Sequence, residues 1–111
     1  VSVSTHVLDL VRGGPAVGVP VTLELLAGET WQTIASGVTD ADGRIKDLVS
    51  RDQELSGTFR ITFTTADYLK ESGNPGFYPY VPIVFHTVAG GGHYHVPLLL
   101  GPFGYSTYRG S

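Results

Sequence analysis

The sequence predicts an all-β fold, an antiparallel β-sandwich of seven to eight short strands with one short helix, and three observations lead there. Apolar or β-branched residues alternate with polar ones in several short runs, such as Val19, Val21, Leu23 and Leu25, or Phe59, Ile61 and Phe63. That period of two belongs to strands with one face in a core. Turn signals built from Gly, Pro and Asp separate the runs at hairpin spacing. One stretch alone, Ala66 to Ser72, carries helix signals at both ends. At 111 residues the chain is a single domain over 1–111, near the size where association of copies often adds to the buried surface.

In chain order, Val3, Thr5, Val7 and Asp9 alternate with Ser2, Ser4, His6, Leu8 and Leu10. This suits a first strand whose faces meet different surroundings, with His6 in its middle. Gly13-Gly14-Pro15 turns the chain into a second strand, whose Thr22 and Glu24 face away from the Val19 to Leu25 row. A loop through Ala27-Gly28 leads to a strand from Trp31 to about Thr39, and Asp40-Ala41-Asp42-Gly43 then forms a tight turn that delivers Arg44. Asp47 to Ser56 is polar and weakly patterned, so a strand end followed by a loop or single turn is expected. Thr58 to Thr65 is a half-buried strand with Arg60 on its polar face. Thr65 is placed to cap the helix, Gly73 to close it and Pro75 to end it. Phe77 to Val88 reads as a strand with Pro79 and Pro82 near its start, where an edge tolerates a missing donor. Gly90-Gly91-Gly92 joins it to the last long strand, His93 to Leu100.

A net charge of −3 with no Lys/Arg run argues against nucleic acid, because phosphate neutralisation needs clustered cations. No apolar run approaches the roughly 18 to 20 residues of a membrane helix, so no membrane partner is expected. The absence of Cys is compatible with any redox compartment. A first residue Val1 fits either a removed initiator or a cleaved export signal; the cytoplasm is the expected location, with the periplasm or peroxisome as alternatives.

The candidate chemistry lies towards the end of the chain. His93 and His95, two apart on a strand, share one face, and such an H-x-H pair supports either metal ligation or proton transfer. Arg44 matters only if the fold brings it to those histidines, and His86 reads as an ordinary strand residue. The glycine run lacks the Lys-Ser/Thr of a phosphate loop, and Ser106 and Ser111 lack a base at useful spacing, so water is the expected nucleophile. The carboxylates are scattered, and no acid pair stands out. The segment GYSTYRGS after Gly101-Pro102-Phe103 carries Tyr and Arg beside the last residues and is expected to dock against the body.

Taken together, STHVLD at Ser4 to Asp9, DGR at Asp42 to Arg44, FYP at Phe77 to Pro79, HYHVPLLL at His93 to Leu100 and the terminal YRGS resemble the transthyretin-related 5-hydroxyisourate hydrolases, in order and over essentially the whole chain. The resemblance implies a two-sheet sandwich assembled as a homotetramer, with sites at the interface between two dimers and a small-molecule substrate. It implies hydrolysis of 5-hydroxyisourate, the ring-opening of a cyclic amide in urate degradation, with no cofactor and no metal. Carried over residue by residue, His6, Arg44, His95 and Ser111 are the implied catalytic residues. His6, Arg44, His93, Tyr108, Arg109 and Gly110 are the implied substrate-binding ones. In the hormone-carrier branch of the family a lysine replaces His6, the arginine matching Arg44 is missing and the tail differs. Leu10 and Gly101 depart mildly from the family pattern and touch none of these positions. The residues leave open whether His95 or His6 is the base. They also leave two rival readings, a zinc hydrolase with His6, His93 and His95 as ligands, and a carrier of an aromatic ligand.

Overall fold

The computed structural model describes residues 1–50 and 52–111. Its elements are β1 (Ser2–Asp9), β2 (Gly14–Pro15), β3 (Pro20–Ala27), β4 (Thr30–Val38), β5 (Arg44–Val49), β6 (Thr58–Phe63), α1 (Ala66–Glu71), β7 (Val81–His86), β8 (His93–Leu100) and β9 (Tyr105–Thr107). One sheet runs β2-β1-β8-β9, with β5 also paired to β1; the other runs β4-β3-β6-β7. The nine strands exceed the expected seven to eight because of the short β2 and β9, which trim the two sides of the first sheet. Among the described residues no helix is long and apolar enough to cross a membrane.

Between the sheets lies the core that the alternation pointed to. Val3 and Val7 of β1, with Val96, Leu98 and Leu100 of β8, pack towards Val21 and Leu23 of β3 and Phe59, Ile61 and Phe63 of β6. Phe59, Ile61 and Phe63 are 0% exposed, so the period-2 pattern there marks a fully buried face. Thr5, a polar residue on the inner face of β1, is satisfied by donating its hydroxyl to the Val96 carbonyl at 2.6 Å.

Three expectations need correction. The sandwich is not wholly antiparallel, because β1 and β8 pair parallel, from Ser2 beside His93 to Asp9 beside Leu100. These strands come from opposite ends of the chain, so no hairpin dictates their relative direction. The strand expected over Phe77 to Val88 is confined to β7; the Pro79 segment lies outside the ladder, and Pro82 sits on an edge strand where its missing N–H costs no pairing. Thr65 precedes α1, but its side chain makes no cap bond: the residue has helical φ and ψ, and its buried Oγ1 has no hydrogen-bond partner among the described residues. The helix itself ends at Glu71, with Gly73 at φ +80 closing it. The polar stretch from Asp47 is, as expected, a strand end to Val49 and then irregular chain, with Arg51 outside the described residues.

Helix α1 is locked to the sandwich by Leu69, which is buried, and by Tyr68, whose hydroxyl donates to Asp9 Oδ2 at 2.7 Å. Asp9 Oδ1 accepts the N–H groups of Val11 and Arg12. Burial alone would raise the Asp9 carboxyl. The bonds from Tyr68, Arg12 and Val11, helped by the Arg12 charge, outweigh it and hold the group below its usual range.

Candidate active site

The site is built on three neighbouring strands of the first sheet, β5, β1 and β8. Parallel register sets Ser2 beside His93, Ser4 beside His95 and His6 beside Pro97, all on the face turned away from the core. On the other side of β1, antiparallel pairing sets Arg44 opposite His6. Residues more than thirty apart in sequence thus share one surface.

Arg44 is delivered there by the turn before it. Asp40 Oδ1 accepts the N–H groups of both Asp42 and Arg44 at 2.9 Å, and the N–H of Arg44 is the first cause that keeps the Asp40 carboxyl below its usual range. Gly43 has φ +72, and a Cβ on it would stand 2.6 Å from the Val7 carbonyl oxygen. Its own carbonyl accepts the Val7 N–H at 2.7 Å. Glycine is therefore required twice, for the turn and for its close approach to β1, and together these fix where Arg44 starts.

His93 and His95 point the same way, as their spacing predicts, and β1 holds both. The Ser2 hydroxyl lies 2.6 Å from His93 Nδ1, and the Ser4 hydroxyl lies 2.7 Å from His93 Nε2 and 2.8 Å from His95 Nδ1. His95 is half-buried, and its pKa is lowered from the ordinary 6.5. Desolvation is the largest cause, followed by the charges of Arg44, His6 and His93, and the contact with Ser4 opposes the shift only in part. The ring is consequently neutral at pH 7. A cleft of about 330 Å³ opens over Ser4, Thr5, Arg44, Lys46, His93 and His95, room for a small heterocycle.

The tail docks as expected. β9 extends the sheet on the free edge of β8, Thr107 Oγ1 donates to the Pro97 carbonyl at 2.7 Å, and the Gly110 N–H donates to the His95 carbonyl at 2.8 Å. A Cβ on Gly110 would stand 2.5 Å from His95 Cδ2, so only glycine lets the tail pass the imidazole so closely. This brings Gly110, and the exposed Ser111 after it, to the side of His95. Tyr108 and Arg109 instead line a separate, more apolar hollow of about 320 Å³ with Ile83, Phe85, Tyr94 and Val96. There the Arg109 guanidinium stacks 4.3 Å from the ring centroid of Tyr94, which faces away from the histidines. Within one chain the structure thus gathers His6, Arg44, His93, His95 and Gly110, and keeps the Tyr108 and Arg109 side chains apart from them.

Ser2, Ser4 and Lys46 are members of this surface that sequence reading did not single out. Their signal was present, since Ser2 and Ser4 alternate in phase with His6, and Lys46 is two residues from Arg44. What was missing was the partner strand. Conversely, the three imidazoles do not form the ligand set that a zinc reading requires. Both ring nitrogens of His93 face serine hydroxyls, and among the described residues no three His, Cys, Asp or Glu side chains are grouped to hold a metal. His86 lies on the other sheet, with Nδ1 3.0 Å from the Thr58 hydroxyl.

A two-sheet sandwich with an imidazole and guanidinium cluster on one outer face defines the class, and comparison with known proteins places the chain within it. Residues 3–110 match the profile of the HIUase/Transthyretin family. A 5-hydroxyisourate hydrolase of Salmonella dublin is 44% identical over 108 residues, 97% of this chain and 79% of that protein. Among solved structures, the Klebsiella pneumoniae 5-hydroxyisourate hydrolase superposes with a TM-score of 0.85 at 37% identity, covering 100% of both chains. The transthyretin of Sparus aurata superposes with a TM-score of 0.90 at 35% identity, covering 97% of this chain and 95% of that one. The chain belongs to the HIUase/Transthyretin family. Since the backbone fits a transthyretin at least as well as a hydrolase, the side chains on the β5-β1-β8 face must distinguish the two.

Proposed function

We propose that this protein is a 5-hydroxyisourate hydrolase, opening the cyclic amide of an oxidised purine with water in the degradation of urate. The observation that carries the proposal is the convergence of His6, Arg44 and His95 on one open face, where among the described residues no carboxylate pairs with Arg44. A carrier of an apolar aromatic ligand has no use for an unpaired guanidinium beside a neutral imidazole, whereas amide hydrolysis needs both.

In the proposed reaction His95 takes a proton from water as the oxygen attacks the ring carbonyl. Of the two candidate imidazoles, His95 is favoured because its surroundings keep it neutral and a serine orients it. Arg44 stabilises the oxyanion with its planar fork, and His6 binds the ring. The carbon–nitrogen bond then breaks, and the ring nitrogen leaves with the proton that His95 had taken. Gly110 and Ser111 close the pocket beside His95, while Arg109, stacked on Tyr94, anchors that tail, and Tyr108 lines the neighbouring hollow. The proposal extends to a homotetramer with sites between dimers. In its support, the site is an open face in the single chain, and β7 and the tail end the two sheets with exposed apolar residues such as Val84 and Tyr108.

The test is to generate 5-hydroxyisourate in place with urate oxidase and to follow its ultraviolet decay with and without the protein, in the presence of a chelator. Acceleration is expected, with kcat lower by about 100-fold or more in a folded His95→Asn variant. A folded protein that leaves the decay rate unchanged would sink the proposal, and light scattering on the same sample tests the tetramer.

A further inference from the structure

We propose that Ser4 is a positioning residue that joins His95 and His93 into one hydrogen-bonded relay ending at Ser2. In this relay His95 rests with its proton on Nδ1, and the charge it acquires as a base is passed to His93. The kinetic part of this inference rests on the hydrolase reading above; the tautomer part does not.

Three contacts form a continuous line: Ser2 Oγ to His93 Nδ1 at 2.6 Å, His93 Nε2 to Ser4 Oγ at 2.7 Å, and Ser4 Oγ to His95 Nδ1 at 2.8 Å. Each is short enough to be a hydrogen bond, and each needs one proton between its atoms. A serine hydroxyl has one proton to donate, and a neutral imidazole has one N–H. Ser4 therefore cannot donate to both rings.

If His95 donates from Nδ1, Ser4, whose hydroxyl has no other acceptor among the described residues, donates to His93 Nε2, and the single proton of His93 lies on Nδ1, directed at Ser2. All three links are then filled, and His95 Nε2 is left with a lone pair and no protein partner among the described residues. This is the state a general base requires. In the opposite direction Ser2 donates to His93, His93 to Ser4 and Ser4 to His95, so that the His95 proton sits on Nε2 and no base remains. Only the first direction leaves His95 a base.

Burial makes the line a defined device. Ser2 and Ser4 are 4% and 8% exposed, so water competes poorly for their hydroxyls, whereas His93 is exposed. When His95 Nε2 takes a proton from water, its Nδ1 proton moves to Ser4 Oγ and the Ser4 proton moves to His93 Nε2. His93 becomes the imidazolium and His95 is neutral again, now with its proton on Nε2. Delivery of that proton to the leaving nitrogen reverses the line: the His93 proton returns to Ser4, Ser4 returns one to His95 Nδ1, and no proton is gained or lost. The cation rests on the ring that solvent reaches, away from the desolvated ring next to Arg44 and His6.

Imidazole nitrogen-15 shifts measured by long-range proton–nitrogen NMR report the tautomer directly, whether or not the enzyme turns over. At neutral pH His95 is expected to carry its proton on Nδ1 in the native protein and in Ser4→Thr, which keeps the hydroxyl. In Ser4→Ala the proton is expected to move towards Nε2, with kcat lower by about tenfold, KM within about twofold, and activity restored in Ser4→Thr. His93→Phe keeps Ser4 but removes the acceptor of its proton, so Ser4 donates to His95 Nδ1 and His95 turns to the Nε2–H form. An unchanged His95 tautomer in both folded Ser4→Ala and His93→Phe, or native kcat in Ser4→Ala, would overturn the relay. Should the native protein lack hydrolase activity, the function proposed above fails, and the spectra still decide the relay.

Discussion

Each sheet carries an arginine on its outer face, and the two are held in opposite ways. On β6, Arg60 donates from Nε and Nη2 to the two carboxylate oxygens of Glu24 at 2.8 and 3.0 Å, and its guanidinium lies 4.5 Å from the Trp31 ring centroid. The bonds to Glu24 are the first cause that holds Arg60 more firmly protonated than usual. On β5, Arg44 stands opposite His6 with no ion pair among the described residues. A fork filled by a carboxylate and a ring has no capacity left for a ligand. One left open beside a cleft and a neutral imidazole keeps its donors for something that arrives. The family fold supplies both outer faces, and what their arginines touch separates scaffold from site.

The most damaging way to probe that contrast is to alter the open arginine. Arg44→Lys keeps the charge and loses the fork, so kcat/KM on 5-hydroxyisourate is expected to fall by about tenfold or more with an unchanged melting temperature. Near-native kinetics in this variant would remove Arg44 from the mechanism. A second probe replaces a satisfied group. Tyr68→Phe takes one bond from the buried Asp9 carboxylate and is expected to lower stability by about 1.5 to 3 kcal/mol in urea titrations, with kcat unaffected.

The same contrast predicts two separate pH windows. The native pKa of Asp9 is depressed, so its contribution to stability is complete above the unfolded value near 3.8 and is lost as pH falls through the lower native one. His95 is also depressed, but from 6.5, so its neutral, active form persists below that pH and the acid limb of kcat lies on the acidic side of it. Activity should fail first on acidification, while circular dichroism still reports a folded protein. Loss of both in one transition would show that the activity profile reports unfolding and not His95.

How much of this was legible in the sequence follows from what a period-2 pattern contains. It assigns faces, so the buried row Phe59, Ile61 and Phe63 and the shared face of His93 and His95 were readable. It says nothing about which strand lies alongside or in which direction. The parallel β1–β8 pair, and with it the serines under the imidazoles, therefore stayed hidden although Ser2 and Ser4 alternate plainly with His6. The turn before Arg44 was readable from Asp and Gly, but the approach of Gly43 to Val7 that aims the arginine was not, since that is a contact between strands. The resemblance supplied Gly110 as a site residue; the space beside His95 supplies its reason. Thr65 had the composition of a cap, yet its buried hydroxyl finds no partner among the described residues, because helix-terminus propensity does not specify which way a side chain turns when the core is packed around it.

The gentlest probe returns to the filled arginine. Glu24→Gln keeps the shape of the side chain and removes its charge, leaving an amide that can accept from Arg60 but no longer balances it. Arg60 stays stacked on Trp31 and reaches solvent, its side chain 32% exposed, so only a small drop in melting temperature is expected, and it should shrink further in high salt. Turnover should be native, because β3 and β6 lie across the core from the cleft. A loss of turnover as large as that of Arg44→Lys would mean that the second sheet takes part in the site, and that pairing with a carboxylate does not mark an arginine as scaffold in this fold.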